Sequence, residues 1–355
     1  MSLTLAVHGV GLSSSLGGAA QACAAARARL SRSRPLLDPP RFDAEGNPDP
    51  IVAHIVPEVG DGFQGTGRLV MLAQRAAADL RRNLPDLGAR VGLFLVTSDY
   101  RLRDSEAIAA GALTSEDSDD GPDHAAIARA IVQTLGVPMI TTEHVVQGPI
   151  GLGEALSRAG EALARRTIDL AIIGAIDSLV DEASIDWLTA AGRLKSARHS
   201  DGVMPGEAAA FVALAREGDA GKTYAFTIHA QVESPRPAWR SPAPRAVPDG
   251  LRAVLVDVAG QTPLWLFSDL NGEPFRFAQL AAARTFLAQQ GRLVTAEETP
   301  AAAFGDTGAC SGFLALLFFL HGHARGSAKA ESGLMICAGD TGGRMSLLMQ
   351  RIGRG

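Results

Sequence analysis

Short apolar runs recur along the chain, and most are too brief for helices. Leu3–Val10, Val91–Thr97, Ile168–Gly174, Ala208–Ala215 and Leu334–Ala338 are each bounded by polar or glycine residues, the pattern of strands buried on both faces. Ile140–Thr142, Tyr224–Val232, Leu264–Ser268 and Met345–Gln350 read as further strands. Gly9, Gly11 and Ser13 to Ser15 are expected to end the first strand. Between these runs the apolar spacing changes to that of helices, over Ala19–Leu30, Gly67–Asn83, Ala125–Leu135 and Pro274–Gln290, and from the turn at Gly148 to Arg166. Gly136 and Pro138 stop the third of these. Gly312–His321 is nearly all apolar, which predicts a helix buried on every side.

Such alternation predicts an α/β fold of layers with covered sheets. Arg32–Pro50 and Pro235–Pro248 are proline-rich and read as loops, and acidic Leu102–Asp123 reads as a partly mobile polar segment. Glu217–Lys222 is the expected boundary between two halves, 1–218 and 219–355. Element order is similar in the two, each with a buried helix after a glycine turn, which hints at internal duplication.

The net charge of −5 gives no electrostatic case for nucleic acid or an anionic membrane. Cys23, Cys310 and Cys337 are too far apart for a zinc knuckle or disulfide framework, and core filling is their expected role. His321 and His323 lack a third ligand at suitable spacing, so no metal and no other cofactor is expected. The N-terminus carries no signal-peptide pattern. The longest apolar run, Phe313–Leu320, falls far short of the ~20 residues of a membrane span, so a cytoplasmic location is expected.

Five segments, in order, resemble β-ketoacyl synthases of the thiolase superfamily. Val7–Gly17 is similar to the opening "TGxGxxxPLG", and Asp169–Ser178 to "DxAxxGGxxS". Asp201–Ala210, DGVMPGEAAA, is similar to "DGFxxGEGAA". Gly305–Gly312 resembles "GHTxGAAG", and Ala338–Gly343 the glycine-rich closing loop containing Asp340. The resemblance implies a thiolase fold: two pseudo-symmetric α/β halves in five layers, αβαβα. Within DGVMPGEAAA, Gly202 and Gly206 permit sharp backbone excursions, and Glu207 can accept backbone N–H bonds from a neighbouring loop.

Condensing enzymes of that family use a cysteine at a helix N-terminus, assisted by two histidines or a histidine and an asparagine. The corresponding turn here resembles Ile140–Gly148. Counting forward from Ile140 places the cysteine position on His144, and counting back from Gly148 places it on Val145. The block Asp269-Leu270-Asn271-Gly272-Glu273-Pro274 stands where the family has "HGTxTP", so its histidine becomes Asp269. The second histidine becomes Asp306, and the family lysine falls near Ala301. An ionised carboxylate repels the oxyanion that the histidines would hold. The departures resemble chain-length-factor partners of ketosynthases, and Ser268–Arg276 is similar to ketosynthase-like proteins encoded beside bacterial type VI secretion genes.

These residues define a pocket of His144, Val145, Gln147, Asp269, Asn271, Glu273, Asp306, Cys310 and Asp340. Asp269 and Asp306 either form a paired-carboxylate acid/base site or cap turns and pair with Arg276 and Arg344. Three functions follow as expectations. The first is a non-condensing scaffold or partner subunit, as a homodimer or with a ketosynthase-like chain. The second is an acyl-thioester or lipid-binding protein that meets an acyl-carrier protein. The third is an acyltransferase or hydrolase using Asp269, Asp306 and His144.

Overall fold

The computed structural model describes residues 1–36, 46, 49–59, 62–84, 90–109, 121–197, 199–218, 222–232, 249–256, 258 and 263–352. The expected Pro235–Pro248 loop, and most of the Arg32–Pro50 loop, lie outside these residues.

Strands β1 (Ser2–Ser14), β2 (Arg34–Leu36), β3 (Ile51–Ala53), β4 (Val91–Thr97), β5 (Met139–Val146), β6 (Leu170–Ser178) and β7 (Glu207–Arg216) precede residue 217. Strands β8 (Lys222–Val232), β9 (Leu264–Ser268), β10 (Val294–Glu298), β11 (Ser332–Ala338) and β12 (Gly343–Arg351) follow it. β2 and β3 pair in a small sheet of their own. The other ten form one sheet in the order β10-β9-β11-β12-β8-β1-β7-β6-β4-β5. Taken in chain order, each set of five strands sits as third, second, fourth, fifth, first. The inner pairs of each set are antiparallel and the outer pairs parallel. One chain therefore repeats one topology, joined where β1 runs antiparallel to β8.

Helices cover both faces. α1 (Ala19–Arg27), α2 (Gly65–Asn83), α3 (Tyr100–Ala109), α4 (His124–Leu135), α5 (Gly151–Ala164) and α6 (Glu182–Ala190) belong to the first strand set. α7 (Asp249–Leu255), α8 (Pro274–Gln289), α9 (Ala301–Phe304) and α10 (Ser311–Ala324) belong to the second. One core joins α5 and α10 to residues of both strand sets, including Phe94, Ile173, Phe226 and Met345. A second core packs α2 and α4 on β4, β6 and β7, and a third packs α7 and α8 on β9 and β11. The result is five layers with α5 and α10 in the middle. At roughly 1.5–3 kcal/mol for each large apolar side chain buried, this central layer is the main source of cohesion.

Three local expectations are corrected. Gly9 and Gly11 do not end β1, which runs on to Ser14. A side chain at Gly11 would run into the Ala76 carbonyl of α2, so that glycine allows helix and strand to approach closely. Leu102 to Ala109, the start of the segment expected to be polar and partly mobile, is helix, held by the buried side chains of Arg103, Glu106 and Ala107; residues 110–120 lie outside the described set. β5 spans eight residues instead of three. It is the outermost strand of its set, and its half-exposed, polar alternation hides the strand pattern.

Candidate functional site

Asp177, near the buried end of β6, has no exposed surface. Its carboxylate accepts from both Arg103 nitrogens at 3.0 and 2.8 Å, from the Tyr100 hydroxyl at 2.8 Å and from Ser98. It also accepts the amides of Ser178 and Ala309, each at 2.9 Å. Burial, then the Asp177 charge, pushes the Tyr100 phenol well above its ordinary value. The Arg103 guanidinium lies over the rings of Tyr100 at 4.7 Å and Trp187 at 5.3 Å, while Trp187 donates to Glu106 at 2.9 Å. One buried acid thus ties α3, β4 and the start of α10 together.

Beside it runs a second buried network. Arg193 forks onto Glu273 at 2.7 and 2.9 Å and reaches Asp340 at 3.3 Å. Arg276 is paired with Asp269, whose other bond takes the Ala338 amide at 2.6 Å. Asn271 donates to Glu273 at 3.0 Å and to Asp306 at 2.6 Å. Burial favours the neutral forms of Glu273 and Asp340, but Arg193 and Arg276 outweigh it and hold both carboxyls below their ordinary values. Asp306 goes the other way: its burial prevails over Arg276 and Asn271, and its carboxyl is raised. Glu207 forms a third knot, with Arg68 at 2.6 and 3.0 Å, the Val56 amide at 2.8 Å and the Ser178 hydroxyl at 3.2 Å.

Two glycine turns face each other in the middle of the molecule. Gly148 (φ 57°) opens a 3-10 turn to Ile150 that leads into α5, and Gly308 (φ 53°) opens one to Cys310 that leads into α10. The turns touch. Positive φ at both positions favours glycine, and a side chain at Gly308 would also run into the Asp177 carboxylate. The first amides of the α10 turn are the natural donors for an oxyanion. They are already taken, Gly308 by Asp306 at 2.8 Å and Ala309 by Asp177 at 2.9 Å.

A cleft of about 300 Å³ opens over the α5 turn. Its apolar wall includes Val146, Pro149, Ile150 and Ile228, and its polar wall includes Arg103, Gln147, Asp340 and Arg344.

The full length of β5 corrects the register of the turn. His144 and Val145 lie within the strand, and the residue leaving it for the turn is Gln147. Val145 is buried in the central core. His144 points to the opposite face, where its ring lies 5.1 Å from that of His124 on α4. It is thereby separated from the network that holds Asp269, Asn271, Glu273, Asp306 and Asp340. Gly202 and Gly206 press against the backbones of Arg193 and Phe304, and Gly206 hands its amide to the Asp306 carbonyl at 2.8 Å. Arg103, Asp177 and Arg193 belong to the site without any signal in the sequence that marks them for it. Of the three, Asp177 alone falls inside a family-like motif.

Cys310 gives its thiol to the Ala208 carbonyl at 3.0 Å, and burial raises it well above its ordinary value. Burial likewise pushes Cys23 up to about 12 and Cys337 well above the thiol range. A thiol reagent at mildly alkaline pH is therefore expected to label none of the three in folded protein and all three in denaturant. Rapid labelling of Cys310 would contradict this geometry. Among the described residues no three His, Cys, Asp or Glu side chains are grouped to hold a metal ion, and no helix is long and apolar enough to cross a membrane.

No family model and no curated protein matches the chain. Solved structures do. A chain of a type II polyketide synthase ketosynthase in complex with its acyl-carrier protein superposes with a TM-score of 0.73 at 14% identity, covering 99% of this chain and 100% of that one. A chain of the ishigamide ketosynthase/chain length factor gives 0.66 at 17% identity, with the same coverage. A β-ketoacyl synthase from Burkholderia phymatum gives 0.67 at 13%, again covering 99% and 100%. The chain has the thiolase fold of the ketosynthases, from end to end.

Proposed function

We propose that this chain is a non-condensing ketosynthase-like subunit that works as a cytoplasmic partner or scaffold. One observation carries the reading: the turn into α5 offers Gln147 and Gly148 and no nucleophile, while Asp269 and Asp306 are bound up with Arg276, Asn271 and the α10 turn. Thioester exchange needs a thiolate at that turn, and condensation needs free donors for an oxyanion. The first is unmet at this turn, and the Gly308 and Ala309 amides do not supply the second. The halves 1–218 and 219–355 are proposed as its two structural units.

The pairing edge is β5. Its exposed Ile140 and Val146 are apolar, whereas β10, its counterpart at the far edge, carries Glu297 and Glu298. Charges on an edge strand discourage pairing, and β5 carries one carboxylate, Glu143, paired with Arg158 at 3.3 Å, against the two of β10. The partner is a second copy or a related ketosynthase-like chain, as one similar structure is a ketosynthase/chain length factor. Light scattering is expected to give a dimer, alone or with that partner. Ile140→Lys with Val146→Lys should weaken it at least about tenfold, the equivalent of 1.4 kcal/mol. A monomer at micromolar concentration that recovers no ketosynthase-like chain would refute the pairing.

The cleft beside Gln147 supports a second reading, a site for an acyl-thioester or lipid, reached with an acyl-carrier protein as in one similar complex. Native mass spectrometry of the purified protein would detect a retained ligand. A hydrolase using Asp269, Asp306 and His144 is disfavoured, because His144 faces away from α5.

A further inference from the structure

His124 opens α4 and His144 lies on β5, with ring centroids 5.1 Å apart and planes tilted by 49°. The Nε2 of His124 meets the Thr97 hydroxyl of β4 at 3.1 Å. Among the described residues the buried Nδ1 of His144 has no hydrogen-bond partner. Two half-buried imidazoles thus form the contact between a helix and an edge strand, and one of them has an unanswered nitrogen.

Among the described residues the charges around the pair are few. α4 brings Asp123 and Arg129, which pair with each other at 3.6 Å. α2, packed on α4, brings the Thr66 hydroxyl, which accepts the Asp123 amide at 3.0 Å. On β5 itself, Glu143 faces the other way and meets Arg158 at 3.3 Å. Asp123 favours a charged His124, yet burial prevails and its imidazole is lowered. Burial and the neighbouring His124 lower His144 as well. Among the described residues no carboxylate pairs with His144 to offset a proton, and two imidazolium rings in contact repel.

We propose that the His124–His144 pair is an acid-sensitive latch: protonation parts α4 from β5 and loosens the edge strand. The sign follows from linkage. A histidine lowered in the folded state contributes stability that is present above its unfolded value of about 6.5 and is lost as pH falls toward its folded value. Because β5 is the proposed pairing edge, acid would also weaken the dimer; that consequence rests on the pairing, while the latch itself does not.

Hydrogen exchange over residues 139–146 tests it, corrected for the intrinsic pH dependence of exchange. Between about pH 7.5 and about pH 5.5, protection in the wild type is expected to fall severalfold, because the opened strand binds a proton more tightly than the closed one. His144→Gln, which keeps a polar group but cannot be charged, should lose clearly less protection across that range, retaining only the part of the loss that His124 contributes. His124→Gln supplies the same test if the first variant folds poorly. Equal losses in the wild type and a folded variant would overturn the latch. Light scattering on the same samples separates the two claims: a monomer at both pH values with pH-dependent protection refutes the pairing and leaves the latch standing.

Discussion

Replacing Asp177 with alanine is expected to destabilise the protein by about 3–5 kcal/mol, the usual result of stripping a buried charge of its partner. Arg103 is 5% exposed and would keep its charge with no carboxylate beside it. Ser98, Tyr100 and the amides of Ser178 and Ala309 would lose their acceptor at the same time. Asp177→Asn keeps the shape and part of the hydrogen bonding but not the charge, so it should recover only a fraction of the loss. Urea unfolding, read as a change in midpoint at constant slope, measures both. A loss below about 1 kcal/mol for the alanine variant would show that Asp177 is not the joint between α3 and α10.

Glu207→Ala is expected to cost a similar amount, about 3–5 kcal/mol, for a related reason. Glu207 is fully buried and is the acceptor for Arg68, itself 3% exposed, as well as for the Val56 amide. The instructive variant is the double one. Buried ion pairs replaced on both sides by apolar residues of similar size are often neutral. Arg68→Met with Glu207→Leu should therefore regain much of what Glu207→Ala loses, less the cost of the stranded Val56 amide. Additive losses would mean that the two side chains act independently.

The fold is legible where burial is complete. β4, β6, β7 and β11 are covered on both faces and stand out as unbroken apolar runs, and α10 is buried almost all round. The fold is obscure where one side meets solvent or a partner. β5 has Thr142 and Val146 outward and Glu143 and His144 half-covered, so its polar residues conceal a strand and displace the turn's register by two or three positions. α6 has no clear apolar period, although Asp181 caps it through the Ser184 amide at 2.9 Å. Less of the site can be read. Local motifs expose Asp269, Asn271, Asp306 and Glu207, and Arg276 is a candidate partner for Asp269 that the structure pairs with it, whereas Arg68, the partner of Glu207, is chosen by the fold. Arg103 and Arg193 come from a helix and a loop with no periodic signal, and only the closure of the sheet brings them to Asp177 and Glu273.

The proposed function is that of a ketosynthase-like fold without condensing chemistry. Its most direct test is carbon dioxide release from malonyl-acyl-carrier protein by the wild-type protein, with intact-mass detection of any acyl adduct. Losing a single oxyanion donor costs on the order of a hundredfold or more in rate, and the proposed function gives this site no nucleophile either. The expected result is release at background level and an unchanged protein mass. Turnover well above background, with an acyl adduct that persists in Cys310→Ala, would contradict the account and place a working nucleophile where none has been identified.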